Sequence, residues 1–315
     1  MARRSFRYYV KTGNGAVKIR KPGASVLREF REQALEMTMF NVGEGEAILL
    51  RVGNDVVLVD GGAVVKKGNV ALGQALRGYL TDRGLKLMAI LASHGHVDHL
   101  NAPESFLAND ASEVLAPEAV YYHNGETLGP WLTDTLQARL NALGPEVITQ
   151  VPVEGFGQFP GPGGTTITMF TDGRWKPRPA YKSIVASLPY RDARILLTGD
   201  IYFDYEDALV DDPATAPHLV TDVLKITRHG SEHGTGANFL EQAAPLISIA
   251  STAEDAGHRL ERVVKTRLKP FGAVFDTFGL GRHITVRTDG LQRLLRGNQG
   301  VLFEVELSLP DMLGS

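Results

Sequence analysis

Between positions 94 and 99 the chain reads His94-Gly95-His96-Val97-Asp98-His99, directly behind the apolar run Leu87 to Leu91. A short apolar run bounded by small residues reads as a buried strand, so this polar cluster hangs from the end of a rigid element. In extended chain, side chains two apart point the same way, which puts His94, His96 and Asp98 on one side. His99 turns inward as the chain enters a helix. Imidazoles together with a carboxylate are donors suited to zinc, manganese and iron. Histidine fills 9 of 315 positions, so chance would assemble such a string on the order of once per thousand chains. The stretch is read as a metal-binding loop.

Composition narrows the donor set further. There are 0 cysteines, which excludes disulfides and thiolate ligands and leaves His, Asp and Glu. With 43% hydrophobic and 22% charged residues the chain is globular and able to bury a core. The net charge of -3 gives the whole molecule no polyanion-binding signature. Charge is nevertheless uneven: Arg3, Arg4, Arg7, Lys11, Lys18, Arg20, Lys21 and Arg28 precede any acidic residue. The expected organisation is a basic N-terminal arm over 1–34 and one domain over 35–315. The arm is expected to contact nucleic acid, with Phe6, Tyr8 and Tyr9 stacking on bases; a solvated tail or a strand covering a sheet edge is the alternative. No apolar stretch has signal-peptide or bilayer length, and Arg3-Arg4 lacks the apolar core of an export signal. The expectation is therefore a cytoplasmic protein without a membrane partner.

Periodicity gives the remaining elements. A short helix is expected over 24–33 and strands over 35–42, 47–52 and 56–60. A helix over 69–82 leads to the strand before the histidine loop. Helices follow over 101–109 and 131–143, with a partly extended stretch over 113–122. Residues 155–164, rich in Gly and Pro, read as a surface loop and candidate lid. Strands are expected over 165–170, 183–189, 193–198, 222–227, 246–251, 273–278, 284–287 and 301–307, and helices over 202–210 and 258–268. That mixed order suits two packed sheets covered by helices.

Six segments together carry a resemblance: Asn41 to Ala47, Val57 to Gly62, Ser93 to His99, Leu196 to Asp200, Leu224 to Ser231, and Gly257-His258. In these the chain resembles the metallo-β-lactamase superfamily, and within it the ComEC-like branch. The resemblance covers about Leu35 to Leu307. It implies an α/β class protein, an αβ/βα sandwich of two packed mixed sheets with helices outside, using two divalent ions, zinc or manganese, at one edge. Carried over, His94 and His96 hold a first ion, Asp98, His99 and His229 a second, and Asp200 bridges them. Read from the residues alone, Asp200 can also cap a following helix, and His229 can be a satisfied buried histidine. His258 is a ligand, a helix N-terminal residue, a partner that orients a ligand or a contact to substrate.

Two departures from the family pattern bear on chemistry. The third histidine that many members give the first ion is missing from Arg178 to Lys182, so that site is expected to bind weakly. His123 could return to the site but reads more naturally as surface. Arg228 stands where the branch has a histidine; its planar fork suits phosphate, with Lys225 and Ser231 as neighbours, although pairing to a carboxylate explains it equally well. The resemblance implies a metal-dependent hydrolase in which Asp98 and Asp200 serve the chemistry, and a phosphodiesterase or nuclease acting on nucleic acid or a nucleotide leads. A hydrolase of a lactone, β-lactam or thioester is the alternative enzyme, and a non-catalytic metal-containing binding protein the third reading. Without a membrane segment, the chain corresponds at most to the soluble hydrolase part of ComEC.

Overall fold

The computed structural model describes residues 4–13, 15–63, 68–101, 103, 106–107, 110–124, 138, 141–151, 156–171, 183–254, 259–295 and 297–309. Two sheets face each other. The larger runs β2 (Gly15–Ile19), β1 (Ser5–Thr12), β18 (Asn298–Ser308), β16 (His283–Thr288), β3 (Leu35–Met39), β4 (Ile48–Val52), β5 (Asp55–Val59), β6 (Lys86–Leu91), β7 (Leu115–His123) and β8 (Ile148–Gln150), with β17 (Gln292–Leu295) paired to β18. The smaller runs β15 (Ala273–Asp276), β14 (Ile247–Ala250), β13 (Val223–Lys225), β12 (Ala193–Leu197), β11 (Val185–Tyr190), β10 (Thr166–Phe170) and β9 (Phe156–Pro160).

Alternation decides which face each strand buries. Leu35, Met37 and Met39 of β3 point between the sheets, while Glu36 and Thr38 point outward. Their inner-face partners include Ile167, Met169, Ala186, Leu188, Ile195 and Leu197 from the smaller sheet. Helix α2 (Gly68–Thr81) covers the outer face of β4 to β7, where Leu72, Leu76 and Leu80 meet Leu49, Leu58 and Ile90. The short helix α3 (Val97–Leu100) follows β6, and a separate cluster of helices, α4 (Phe203–Asp211), α5 (Ala216–Leu219), α6 (Ala237–Ala243) and α7 (Arg262–Leu268), covers the smaller sheet. This is the αβ/βα sandwich that the motifs implied.

The parallel strands place the functional edge. β5, β6, β7 and β8 run parallel in one sheet, and β12, β13, β14 and β15 in the other. The loops leaving β5, β6, β12 and β13 carry Asp60, His94 to His99, Asp200 and His229, so their carboxyl ends meet at one edge of the sandwich.

Three expectations need correction. Residues 1–34 are no separate arm, because β1 pairs with β18 along seven registered positions from Ser5–Leu307 to Lys11–Val301. Tyr9 enters the inter-sheet core, while Tyr8 and Val10 pack under helix α1 (Ala24–Glu32) with Leu27 and Phe30. Tyr8 and Tyr9, 4% and 7% exposed, therefore have no face to offer a base. Phe6 lies under the Arg31 guanidinium at 5.2 Å, and two of the eight cations, Arg4 and Lys11, are paired with Glu306 and Asp222. Second, the described part of the expected lid over 155–164, residues 156–164, forms none: β9 is the edge strand of the smaller sheet, and the turn Pro162–Gly164 docks on Asp55 at the opposite end of β5 from Asp60. Third, β17 went unforeseen because Gln292-Arg293-Leu294-Leu295 lacks clean alternation. Most of the expected helices over 101–109 and 131–143 lies outside the described residues.

Candidate metal centre

Three loops interlock before any donor side chain is considered. Asp60 N–H donates to Leu91 O at 2.8 Å, Gly61 N–H to His99 O at 2.7 Å and Gly62 N–H to Glu46 O at 2.8 Å. Glu46 N–H in turn donates to Asp98 O at 2.9 Å. Gly62 must be glycine, since a Cβ there would lie 2.0 Å from the Asp98 carbonyl carbon and oxygen. The close backbone approach fixes where the histidine loop can go.

Asp60 then orients the ligands. It sits at φ 55, a left-handed conformation unusual for aspartate, and accepts from Ser93 N–H and from Ser93 Oγ, both at 2.7 Å. Its Oδ2 also lies 2.8 Å from His99 Nδ1. Because the Ser93 hydroxyl donates to Asp60, it accepts from His94 Nδ1 at 3.0 Å. One carboxylate thereby engages Nδ1 of His99 directly and of His94 through Ser93, and leaves both Nε2 atoms facing the centre. His229 follows the same rule with a different partner, since its Nδ1–H donates to Ser251 O at 3.2 Å.

The six expected ligands come together in two groups that share one residue. His94, His96 and Asp200 form the first, and Asp98, His99, Asp200 and His229 the second; within each, the donor atoms lie within 4.8 Å of one another. His94 Nε2 faces His96 Nδ1 at 3.0 Å, and His99 Nε2 faces His229 Nε2 at 3.2 Å. Asp200 Oδ1 is buried without a hydrogen-bond partner. Facing imidazole nitrogens and an orphaned carboxylate oxygen, buried except at the half-buried His96, fit cations. Residues and metal are matched in chemistry: nitrogen and oxygen donors and no sulfur.

Electrostatics divides the histidines, holding two of them neutral and setting a third among carboxylates that favour positive charge at that point. Burial, aided by His99, holds His94 well below the ordinary imidazole range despite Asp200 and Asp98, so it presents a neutral ring. His96 is lowered for the same primary reason, burial, with Asp98 and Asp200 opposing and the His99 and Arg228 charges adding. For His99 burial also pulls downward, but Asp60, Asp98 and Asp200 overcome it and raise its pKa well above normal. Burial pushes the Asp200 carboxyl up, yet His229, His99 and Lys225 outweigh it and hold the group well below the usual carboxylate range.

Asp200 is not a helix cap: Tyr202 occupies that place before α4. It follows Gly199 at φ 52, and its N–H donates to Ser183 Oγ at 3.1 Å. His229 lies in a turn where Arg228 (φ 48), His229 (φ 53) and Gly230 (φ 89) are all left-handed. Two consecutive strained non-glycine residues cost energy that sites of this kind carry for the geometry they obtain.

The expected substrate contacts divide. Lys225 cannot touch substrate: it is wholly buried, its Nζ 2.6 Å from Gly199 O and 2.8 Å from Glu46 Oε2. Its position at the end of a buried strand, with all surrounding faces packed, is the reason. Arg228 is half-buried, with its guanidinium 3.7 Å above the Tyr202 ring. Its Nε and Nη1 are shielded from water and have no hydrogen-bond acceptor among the described residues. Ser231 Oγ faces its own turn, 3.5 Å from His233 N. His258 and the stretch Arg178 to Lys182 lie outside the described residues. His123 ends β7, with its pKa lowered by burial, and joins none of the donor groups found among them.

Sequence reading passed over three residues that build the site: Asp60, Ser93 and Glu46. A signal for the first existed, an aspartate ending the apolar Val56 to Val59 run immediately before Gly61-Gly62.

A sandwich with histidine and aspartate donors gathered between two sheet edges defines the class of metal-dependent hydrolases built on this fold. The chain belongs to the metallo-β-lactamase superfamily, whose model matches residues 41–253. Among individual relatives, ComE operon protein 3 of Bacillus subtilis (strain 168) is 24% identical over 238 residues, covering 70% of this chain and 28% of that protein. The chain thus spans less than a third of that relative's length. Among solved structures, the metallo-β-lactamase fold protein YhfI from Bacillus subtilis matches with TM-score 0.50 and 15% identity, over 86% of this chain and 99% of that one. Tm1679, described as a metal-dependent hydrolase of the β-lactamase superfamily, matches with TM-score 0.47 and 12% identity over 78% and 96%. Among the described residues, no helix is long and apolar enough to cross a membrane.

Proposed function

We propose that the protein is a metal-dependent phosphodiesterase whose substrate is nucleic acid or a nucleotide. The observation that carries this reading is Arg228. A half-buried guanidinium laid on Tyr202, beside the donor cluster and with no carboxylate partner among the described residues, is a fixed positive charge that suits an anionic substrate. The charged oxygens of a phosphodiester supply the counter-charge. A neutral lactone or thioester does not.

His94, His96 and Asp200 would hold one divalent ion, and Asp98, His99, Asp200 and His229 a second. Bound there, zinc or manganese supplies Lewis acidity and makes water a usable nucleophile at neutral pH. The chain's own residues do the rest. Asp98, the ligand whose side chain keeps 12% exposure, accepts a proton at its carboxylate. Arg228 binds the phosphodiester oxygens and neutralises charge as the bond breaks. The sheet edges hold both without reorganisation.

The test is a metal-supplemented panel setting bis-p-nitrophenyl phosphate, single- and double-stranded DNA, RNA and cyclic nucleotides against nitrocefin, lactones and thioesters. Phosphodiester turnover is expected, and Arg228→Ala should cost about 10- to 100-fold in kcat/KM, the loss of a charged hydrogen-bonding pair, with metal content intact. Turnover confined to the second set would overturn the reading.

A further inference from the structure

Beside the two ligand groups lies a third cluster of buried donors, Glu46, Asp60 and His99. Its outer carboxylate is already engaged by a cation, but the cation is Lys225. The ammonium is surrounded by Gly199 O at 2.6 Å, Glu46 Oε2 at 2.8 Å and Asp200 Oδ1 at 3.6 Å, and the side chain has no exposure. Glu46 and Asp200 retain only 1% and 6%.

Stability is a poor reason for such a pair. Taking two charges out of water is costly, and apolar replacements of a buried pair are often neutral or stabilising. What the pair does geometrically is specific. Lys225 grips the carbonyl of Gly199, whose φ of 52 aims the next residue, Asp200, into the centre. Thr198 Oγ1 returns the contact by donating to Lys225 O at 2.9 Å, so the ends of β12 and β13 are tied in both directions. Through Glu46 the same ammonium reaches the loop whose N–H holds the Asp98 carbonyl. Lys225 therefore touches the supports of the shared ligand and of Asp98 at once.

We propose that Lys225 is a built-in third cation of the centre, a positioning residue that fixes Asp200 where both ion sites share it. The proposal rests on the donor groups binding metal and is independent of the substrate.

Positioning and plain electrostatics predict opposite signs. An ammonium near Asp200 repels an incoming divalent ion, so its removal favours metal if charge is all that matters. If position matters more, removal weakens metal binding. The Glu46→Gln/Lys225→Met double variant removes both charges and leaves the local net charge unchanged. Mn²⁺ is titrated calorimetrically into the chelator-treated full chain, with thermal unfolding in chelator as the measure of fold. The expected result is an unfolding midpoint at or above the wild type together with a 10- to 100-fold loss of Mn²⁺ affinity. Unchanged or tighter Mn²⁺ binding in the folded variant would overturn the proposal. If the double variant does not fold, Glu46→Gln/Lys225→Leu, which likewise offers the Gly199 carbonyl no donor and leaves the local net charge unchanged, is read by the same two measurements and the same criteria. Wild type that takes up no Mn²⁺ or Zn²⁺ would overturn the donor-group reading itself, a result visible before any variant is made.

Discussion

Asp60 controls more of the centre than any single ligand does. It fixes His99 directly and His94 through the Ser93 hydroxyl. Asp60→Asn would place an amide donor against groups that must themselves donate, turning the rings toward the wrong tautomer. We expect a folded protein with metal affinity lowered about 10- to 100-fold; wild-type binding in a calorimetric titration would count against the tautomer argument. Gly62→Ala acts by a different route. A methyl 2.0 Å from the Asp98 carbonyl must push the histidine loop aside, at a cost of about 1–3 kcal/mol. Elemental analysis should find metal depleted in that variant, and a full complement would show that the loop relaxes freely.

At the scale of elements, β1 and α4 carry the clearest expectations. β1 buries Tyr8, Tyr9 and Val10, each worth roughly 1.5–3 kcal/mol, a sizeable share of the roughly 5–15 kcal/mol that holds a domain together. Deleting residues 1–22 should therefore leave the chain aggregated or unfolded by circular dichroism. A soluble, folded truncation would restore the picture of a dispensable basic arm. In α4, Glu206 is buried and accepts from Thr235 and Gly236 N–H at 2.6 and 2.7 Å, holding the first turn of α6. Burial pushes its pKa from 4.5 up to about 7, against those two hydrogen bonds. A carboxyl raised on folding binds its proton more tightly in the native state. Its contribution is therefore greatest below the unfolded value and declines as pH rises toward about 7. The stability difference between wild type and Glu206→Gln should fall by about 3 kcal/mol from pH 4.5 to 8. Urea titrations giving a constant difference would contradict this.

On the scale of the molecule, the centre joins the two sheets. His94, His96, Asp98 and His99 come from the larger sheet, and Asp200 and His229 from the smaller. An ion that binds only the folded chain at a thousandfold excess over Kd adds about 4 kcal/mol. At about 2 °C per kcal/mol for a chain of this size, chelation should lower Tm by about 8 °C per ion. Calorimetric scans with and without chelator check this, and identical midpoints would mean the sheets close without metal.

The sequence by itself determined the class of fold and the ligand types, because both are written locally. Alternation in Leu35 to Met39 and the apolar run Leu87 to Leu91 state which residues are buried, and His94 to His99 states a donor set within one turn of chain. Ligands from distant segments, Asp200 and His229, were legible only through their motifs, since each alone is equally a cap or a core histidine. Only the tertiary structure decided the roles of Lys225, Asp60 and the first twenty residues. A lysine at a strand end beside the histidine turn reads as a phosphate contact until Glu46, 179 positions earlier in the chain, is found against its ammonium. A run of basic residues reads as an arm until the edge of β18 is found to need a strand. Burial and pairing depend on what lies across the space, and neighbours in sequence do not specify that.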